Sequence, residues 1–192
     1  MEEKTLERIN LVTDFCLNSN STNPLEMAID IMKLPQVPMI SGLHHPIIAG
    51  VLVTAYKNKT GQLTDDDIKL AIRRGSTIPA GFCALYGSDG AALATGIAMS
   101  VIQKTSPLAE KDIERSIAHR MTSLGLSAIA NNRGNRCCKR STFDVINAAN
   151  QYIREALRVE LDQIPLTKQN CEFSQNFELC NKEICRYYQP LI

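Results

Sequence analysis

Apolar residues recur at helical spacing in one segment after another, and no stretch alternates apolar with polar residues as a half-buried strand does. That pattern restricts the chain to helices packed on helices. Leu6, Ile9, Val12 and Cys16 mark a first amphipathic helix. Asn23-Pro24-Leu25-Glu26 reads as the start of a second, because Asn caps, Pro suits the first turn and Glu completes a capping box. The run from Pro46 to Tyr56 is apolar all round. Its β-branched residues would suit a buried strand, but its length, early proline and Lys57-Asn58-Lys59 exit favour a buried helix. Thr64 followed by Asp65, Asp66 and Asp67 opens another helix, since acids favour the positive end of the dipole.

Ser88 or Asp89 caps a segment rich in small residues, Gly90 to Ser100. Small side chains let backbones approach closely, which places this helix at the centre of the fold. Ser106-Pro107 opens a helix with Ile113, Ile117, Met121 and Leu124 on its apolar face. Ser141 or Thr142 opens the last, with Ile146, Ala149, Ile153 and Leu157. The expectation is an all-α protein, with a single compact helical domain over residues 1–165. A cysteine-bearing tail, residues 166–192, packs on the same domain.

Charge narrows the partners. Twenty-one basic and 20 acidic residues give a net charge of +1, too little field to capture nucleic acid or acidic lipid. The first residues are charged and lack the apolar core of a secretory signal. The weakly polar run from Ala91 to Ile102 is shorter than the roughly 20 residues a membrane helix needs. A soluble, cytoplasmic protein is expected, with no nucleic acid and no membrane as partner. The composition permits a homodimer without requiring one.

The chemistry-bearing residues are the cysteines, seven in 192 residues. An odd number in a reducing compartment argues against a disulfide framework. Cys83 sits on the Pro/Gly-rich loop that leads into the small-residue helix. Backbone amides of residues 88–91, Ser88 among them, and the helix dipole would there stabilise a thiolate, a sulfido cluster or a substrate carboxylate. The alternative is a cysteine acting as a small hydrophobe. Cys137 and Cys138 are adjacent, so only one thiol can point in a given direction, and Arg136, Lys139 and Arg140 surround them. Those cations make either a solvated loop or a seat for a small anion. Cys171, Cys180 and Cys185 close the chain.

No C-x-x-C pair occurs, which lowers the reading of a structural zinc site. The wider spacing suits a [4Fe–4S] cluster whose ligands come from distant loops, against the plainer reading of three reduced, partly buried thiols. His44 and His45 are adjacent on a loop; one of them binds metal or moves protons, or caps the helix that follows. Asp89 is a helix cap or a base, and His119 is structural. The fingerprints GxSxG, HExxH, P-loop and GxGxxG are absent.

Several strings carry a resemblance: His44-His45-Pro46, Arg74-Gly75, Pro79-Ala80-Gly81-Phe82-Cys83, Gly87 to Ala92, Arg136 to Arg140, and the three-cysteine tail. Together they resemble the uncharacterised domain of unknown function 5714 of archaea and anaerobic bacteria, whose members stand alone or are joined to methyltransferase or radical-SAM modules. This chain has Asp89 where that family commonly has a second cysteine. More remotely, the order of apolar helix, cysteine-bearing loop, small-residue helix, Leu124-Gly125-Leu126 and Cys137 or Cys138 ahead of Arg140 is similar to the catalytic domain of iron–sulfur L-serine dehydratases. Those enzymes place a cysteine just after Leu-Gly-Leu, where this chain has Ser127 and Ala128. The dehydratase resemblance implies an all-helical domain that holds a cluster; it does not carry serine as substrate.

The leading expectation is a [4Fe–4S]-dependent lyase or sulfur-handling enzyme acting on a small anionic molecule. Its ligands would be Cys83, one of Cys137 and Cys138, and two of Cys171, Cys180 and Cys185. Arg136, Lys139 and Arg140 would hold the anion and His44 or His45 would carry the proton. The competing expectation is a non-catalytic module, binding zinc or a cluster, that serves a methyltransferase or radical-SAM partner.

Overall fold

The computed structural model describes residues 2–188, with the backbone alone for 2–4 and 176. These residues form a single all-α domain; no strand occurs among them. The helices are α1 (Glu2–Asn18), α2 (Pro24–Lys33), α3 (His44–Thr60), α4 (Asp65–Ser76), the single turn α5 (Phe82–Leu85), α6 (Gly90–Ile102), α7 (Asp112–Asn131) and α8 (Cys138–Leu157). Beyond α8 the chain makes only short 3-10 turns, at Leu166–Lys168, Ser174–Asn176 and Lys182–Ile184.

The segment that is apolar all round is a helix, and it is the hub. Every residue of α3 from His44 to Tyr56 is buried, and α1, α2, α4, α6 and α8 all pack against it. A helix without a polar face can only be stable when neighbours cover it on every side. The small-residue helix α6 shares the centre, packed on α3, α4, α7 and α8.

Local signals set where α2, α4 and α6 begin. Asn23 Oδ1 accepts from the Glu26 amide at 3.2 Å, and Thr64 and Asp67 form a reciprocal capping box. Asp89 Oδ1 accepts from the Ala91 amide at 2.8 Å, so Asp89 rather than Ser88 is the cap of α6.

Three starts differ from the sequence reading. α3 begins at His44, so His44 and His45 are its first residues rather than part of the preceding loop. α7 begins at Asp112, not at Ser106, after a 3-10 turn at Ala109–Lys111. The Arg115 guanidinium donates to the carbonyls of Ser106 and Leu108, which holds that stretch as a loop, and Ile113 ends up exposed. α8 begins at Cys138, three residues earlier than expected, because the Cys137 sulfur serves as its cap and accepts from the Arg140 amide at 3.4 Å. Sulfur is outside the usual set of capping atoms, so the sequence carried no ordinary start signal there.

The tail folds back on α8 and on the loop before it. Tyr187 is buried and its hydroxyl donates to Asp144 Oδ1 at 2.7 Å, while the Cys171 amide donates to the Tyr187 carbonyl at 2.7 Å. Asn147 and Gln169 exchange side-chain hydrogen bonds at 2.8 and 2.9 Å. The Asn135 backbone amide donates to Asn181 Oδ1, and its side-chain amide donates to the Leu179 carbonyl.

Candidate functional site

Two cavities carry the reactive residues, and Cys137 and Arg140 line both. The smaller lies between the start of α8 and the tail. Its walls include Cys137, Cys171, Cys180 and Cys185, closed by Phe143, Phe177, Tyr187 and Asn181. Four of the seven cysteines, drawn from positions 137 to 185, thus face one space of about 20 Å³. Burial pushes the Cys171 thiol up to about 11, and it also raises Cys137. The backbone amide and charge of Arg140 pull Cys137 the other way. The side-chain nitrogen of Asn181 is buried in the same wall with no hydrogen-bond partner among the described residues. Gly134, at φ 152°, admits Asn181 there; a Cβ would also fall 2.6 Å from the Arg140 guanidinium.

Lining one cavity is a looser condition than closing on one point. Among the described residues, no three His, Cys, Asp or Glu side chains converge tightly enough to hold a metal ion.

The larger cavity, about 270 Å³, opens where three helices begin. The first residues of α3 (His44, His45), of α6 (Asp89, Ala91) and of α8 (Cys138, Arg140, Ser141) line it, with Cys83 and Phe82 of α5 on one side and Arg136 on another. Helix N-termini carry partial positive charge, and Arg136 adds a full one. Arg136 is exposed and makes no hydrogen bond or ion pair among the described residues. Cys83 is exposed; Cys138 is half-buried and its thiol is raised by burial, partly offset by a backbone hydrogen bond from Ser41 and by the Arg136 charge.

His44 is 1% exposed. Its Nδ1 lies 3.1 Å from the Ser41 carbonyl oxygen, which can only accept, so Nδ1 carries the proton and Nε2 keeps a bare lone pair. Burial, with the Lys139 charge second, pushes this imidazole down to about 3. His45 repeats the pattern, with Nδ1 3.3 Å from the Ile78 carbonyl and its basicity lowered by burial. Gly90 makes room for that ring: a Cβ there would sit 2.5 Å from the His45 Cε1. Both rings are therefore neutral near pH 7, each with its proton on Nδ1.

The expected ligand set divides between the two cavities. Cys171, Cys180, Cys185 and Cys137 share the small one; Cys83 and Cys138 line only the large one. His44, His45, Asp89, Arg136 and Arg140 meet at the large one, but Ser88 is not in its wall. Lys139 also lies outside it. Its ammonium is buried against the Met32 carbonyl at 3.2 Å and lies 4.7 Å from the centre of the Phe173 ring. Burial lowers it to about 8, against the pull of Cys138 and Cys137. Cys16 is a core residue, 1% exposed, pushed up to about 12 by burial. His119 is exposed on α7.

Ser41, which fixes the His44 tautomer, was missed by the sequence reading; its only mark is a serine three residues ahead of a histidine that opens a helix. Asn181 was missed as well, and nothing in its flanking residues singles it out.

The molecule is thus an all-α domain whose cysteine-bearing tail closes over a thiol-lined cavity beside a polar pocket at converging helix starts. The Family of unknown function (DUF5714) matches residues 12–188, and the chain belongs to that family. No curated protein and no solved structure matches it.

Proposed function

We propose that this is a metal–thiolate protein. Cys137, Cys171, Cys180 and Cys185 hold the metal, and the neighbouring pocket of about 270 Å³ receives a small anionic molecule. The observation that carries the reading is the shared cavity: thiols up to 48 positions apart (185 − 137) line one space of about 20 Å³. Soft thiolates suit zinc or an iron–sulfur cluster. The unpartnered Asn181 N–H₂ is the kind of donor that stabilises metal-bound sulfur, and the Lys139 charge acts on Cys137, Cys138 and Cys171. The thiols as they stand do not close on a single point, so binding requires the tail to tighten.

Both metals take four thiolates, and the assay below tells them apart. Four thiolates around zinc make a closed, structural site. A zinc site there leaves the reactive work, a lyase or sulfur-handling step, to the larger pocket, whereas a cluster takes part in it directly. The alternative is the accessory or carrier role beside a methyltransferase or radical-SAM partner, with the tail metal serving stability alone.

The test is purification under strict anoxia and again in air, with zinc, iron and acid-labile sulfide quantified on the same samples. One metal equivalent per chain is expected, lost in Cys180→Ser and retained in Cys83→Ser. Protein that stays metal-free after reconstitution overturns the proposal, and so does metal that survives Cys180→Ser but leaves with Cys83→Ser.

A further inference from the structure

The wall of the larger pocket makes two different demands on a ligand. The first is charge. Three helices of 17, 13 and 20 residues begin around this space. Among the described residues α3 has no side-chain cap, and Arg136 stands at the rim without a partner. The one carboxylate that the described residues bring to the wall, Asp89, is turned to the Ala91 amide at 2.8 Å. This is the setting in which an oxyanion is stabilised.

The second demand is a proton. His44 Nε2 is buried and has no hydrogen-bond partner among the described residues, on a residue 1% exposed that lines the pocket. The Ser41 carbonyl holds the ring proton on the opposite nitrogen, so Nε2 can only accept. A metal cation would satisfy a lone pair, but the surroundings are positive: Lys139 and Arg136 both act on this ring. A neutral donor on the ligand meets no such penalty. Leaving a buried acceptor empty costs free energy, which a ligand that fills it recovers.

From these two demands we infer that the pocket selects a small oxyanion, carboxylate or phosphate, that also carries a hydroxyl or amino donor to meet His44 Nε2. Arg136 and the helix starts hold the charged end, and the lone pair of His44 reads the donor. His44 is then a specificity residue: it distinguishes a substituted acid from the plain one of the same charge. The inference rests on the pocket half of the functional reading and is independent of the metal in the tail.

The test compares matched probes on the full-length protein, with its metal content recorded. Glycolate is set against acetate, and glycerol 2-phosphate against methyl phosphate, by calorimetric titration. Histidine labelled with nitrogen-15 reports the Nε2 resonance in the same samples. The hydroxyl-bearing member of at least one pair is expected to bind about ten-fold tighter. Its binding is also expected to shift the His44 Nε2 resonance, which the plain acid leaves in place. The pair that discriminates says which oxyanion the pocket takes.

His44→Leu is expected to remove the discrimination while Arg136→Gln weakens both members of the pair. Should His44→Leu fail to fold, the Nε2 shift in the wild-type chain decides alone. Equal affinity within both pairs, or an Nε2 resonance that no probe moves, overturns the inference. The metal assay separates the two proposals, since pocket discrimination without metal, or metal without discrimination, removes one and leaves the other.

Discussion

At the scale of single residues, the site depends on atoms whose identity matters more than their bulk. Gly90 is one. The His45 ring occupies the space its Cβ would need, with Cε1 at 2.5 Å. Gly90→Ala is expected to cost about 1–3 kcal/mol in urea unfolding, because either the ring or the start of α6 must give way. An unchanged midpoint would mean that the ring moves freely. Ser41 is another. Its backbone carbonyl, not its hydroxyl, is what fixes the His44 tautomer, since the carbonyl cannot donate. Ser41→Ala should therefore leave the nitrogen-15 tautomer pattern of His44 unchanged. A switch to the other tautomer would show that the hydroxyl, 3.4 Å from Nδ1, governs instead.

At the scale of elements, α8 and the tail hold each other. Cys137 caps α8 and also faces the tail thiols, so one sulfur has two roles. Serine caps a helix well but is a poor soft-metal ligand. Cys137→Ser is expected to keep the unfolding midpoint in metal-free buffer and to abolish metal retention; loss of helix content by circular dichroism would show that the sulfur itself is needed at the cap. The second clasp is Tyr187 on Asp144. The carboxylate is buried, accepts from Asn132 at 2.9 and 3.1 Å, and is raised by burial. Tyr187→Phe deletes the 2.7 Å bond to it, for an expected cost of about 1–3 kcal/mol. Faster trypsin cleavage at Lys182 or Arg186 would report the loosened tail, and an unchanged cleavage rate would place the hold on the tail elsewhere.

At the scale of the whole molecule, acid sensitivity follows from burying neutral histidines in the hub helix. The unfolded chain binds a proton at His44 near the ordinary value of 6.5, whereas the folded ring resists until about 3. A depressed folded value means that the stability is present above pH 6.5 and is lost as pH falls toward 3. The slope from this group is up to roughly 1.4 kcal/mol per pH unit. His44→Gln should flatten that part of the profile between pH 6 and 4; a profile with the wild-type slope would show that the folded ring titrates normally.

How much of this was legible beforehand depended on the range of the interaction involved. The caps at Asn23, Thr64 and Asp89, the burial of the segment from Pro46 to Tyr56 and the all-α class are written within a few residues of themselves, through hydrogen-bond chemistry and apolar spacing. The late start of α7 was not, because it is set by Arg115 reaching back to Ser106 and Leu108.

The sequence alone determined that seven thiols were present, that a cation-rich stretch flanked two of them, and that the fold around them would be all-α. It did not determine which thiols share a space. That partition, Cys137 with the tail and Cys83 with Cys138, Arg136 and the histidines, arises when Tyr187, Gln169 and Asn181 pin the tail to α8 and its preceding loop. Contacts between residues 22 to 46 positions apart leave no local pattern, so only the folded chain decides them.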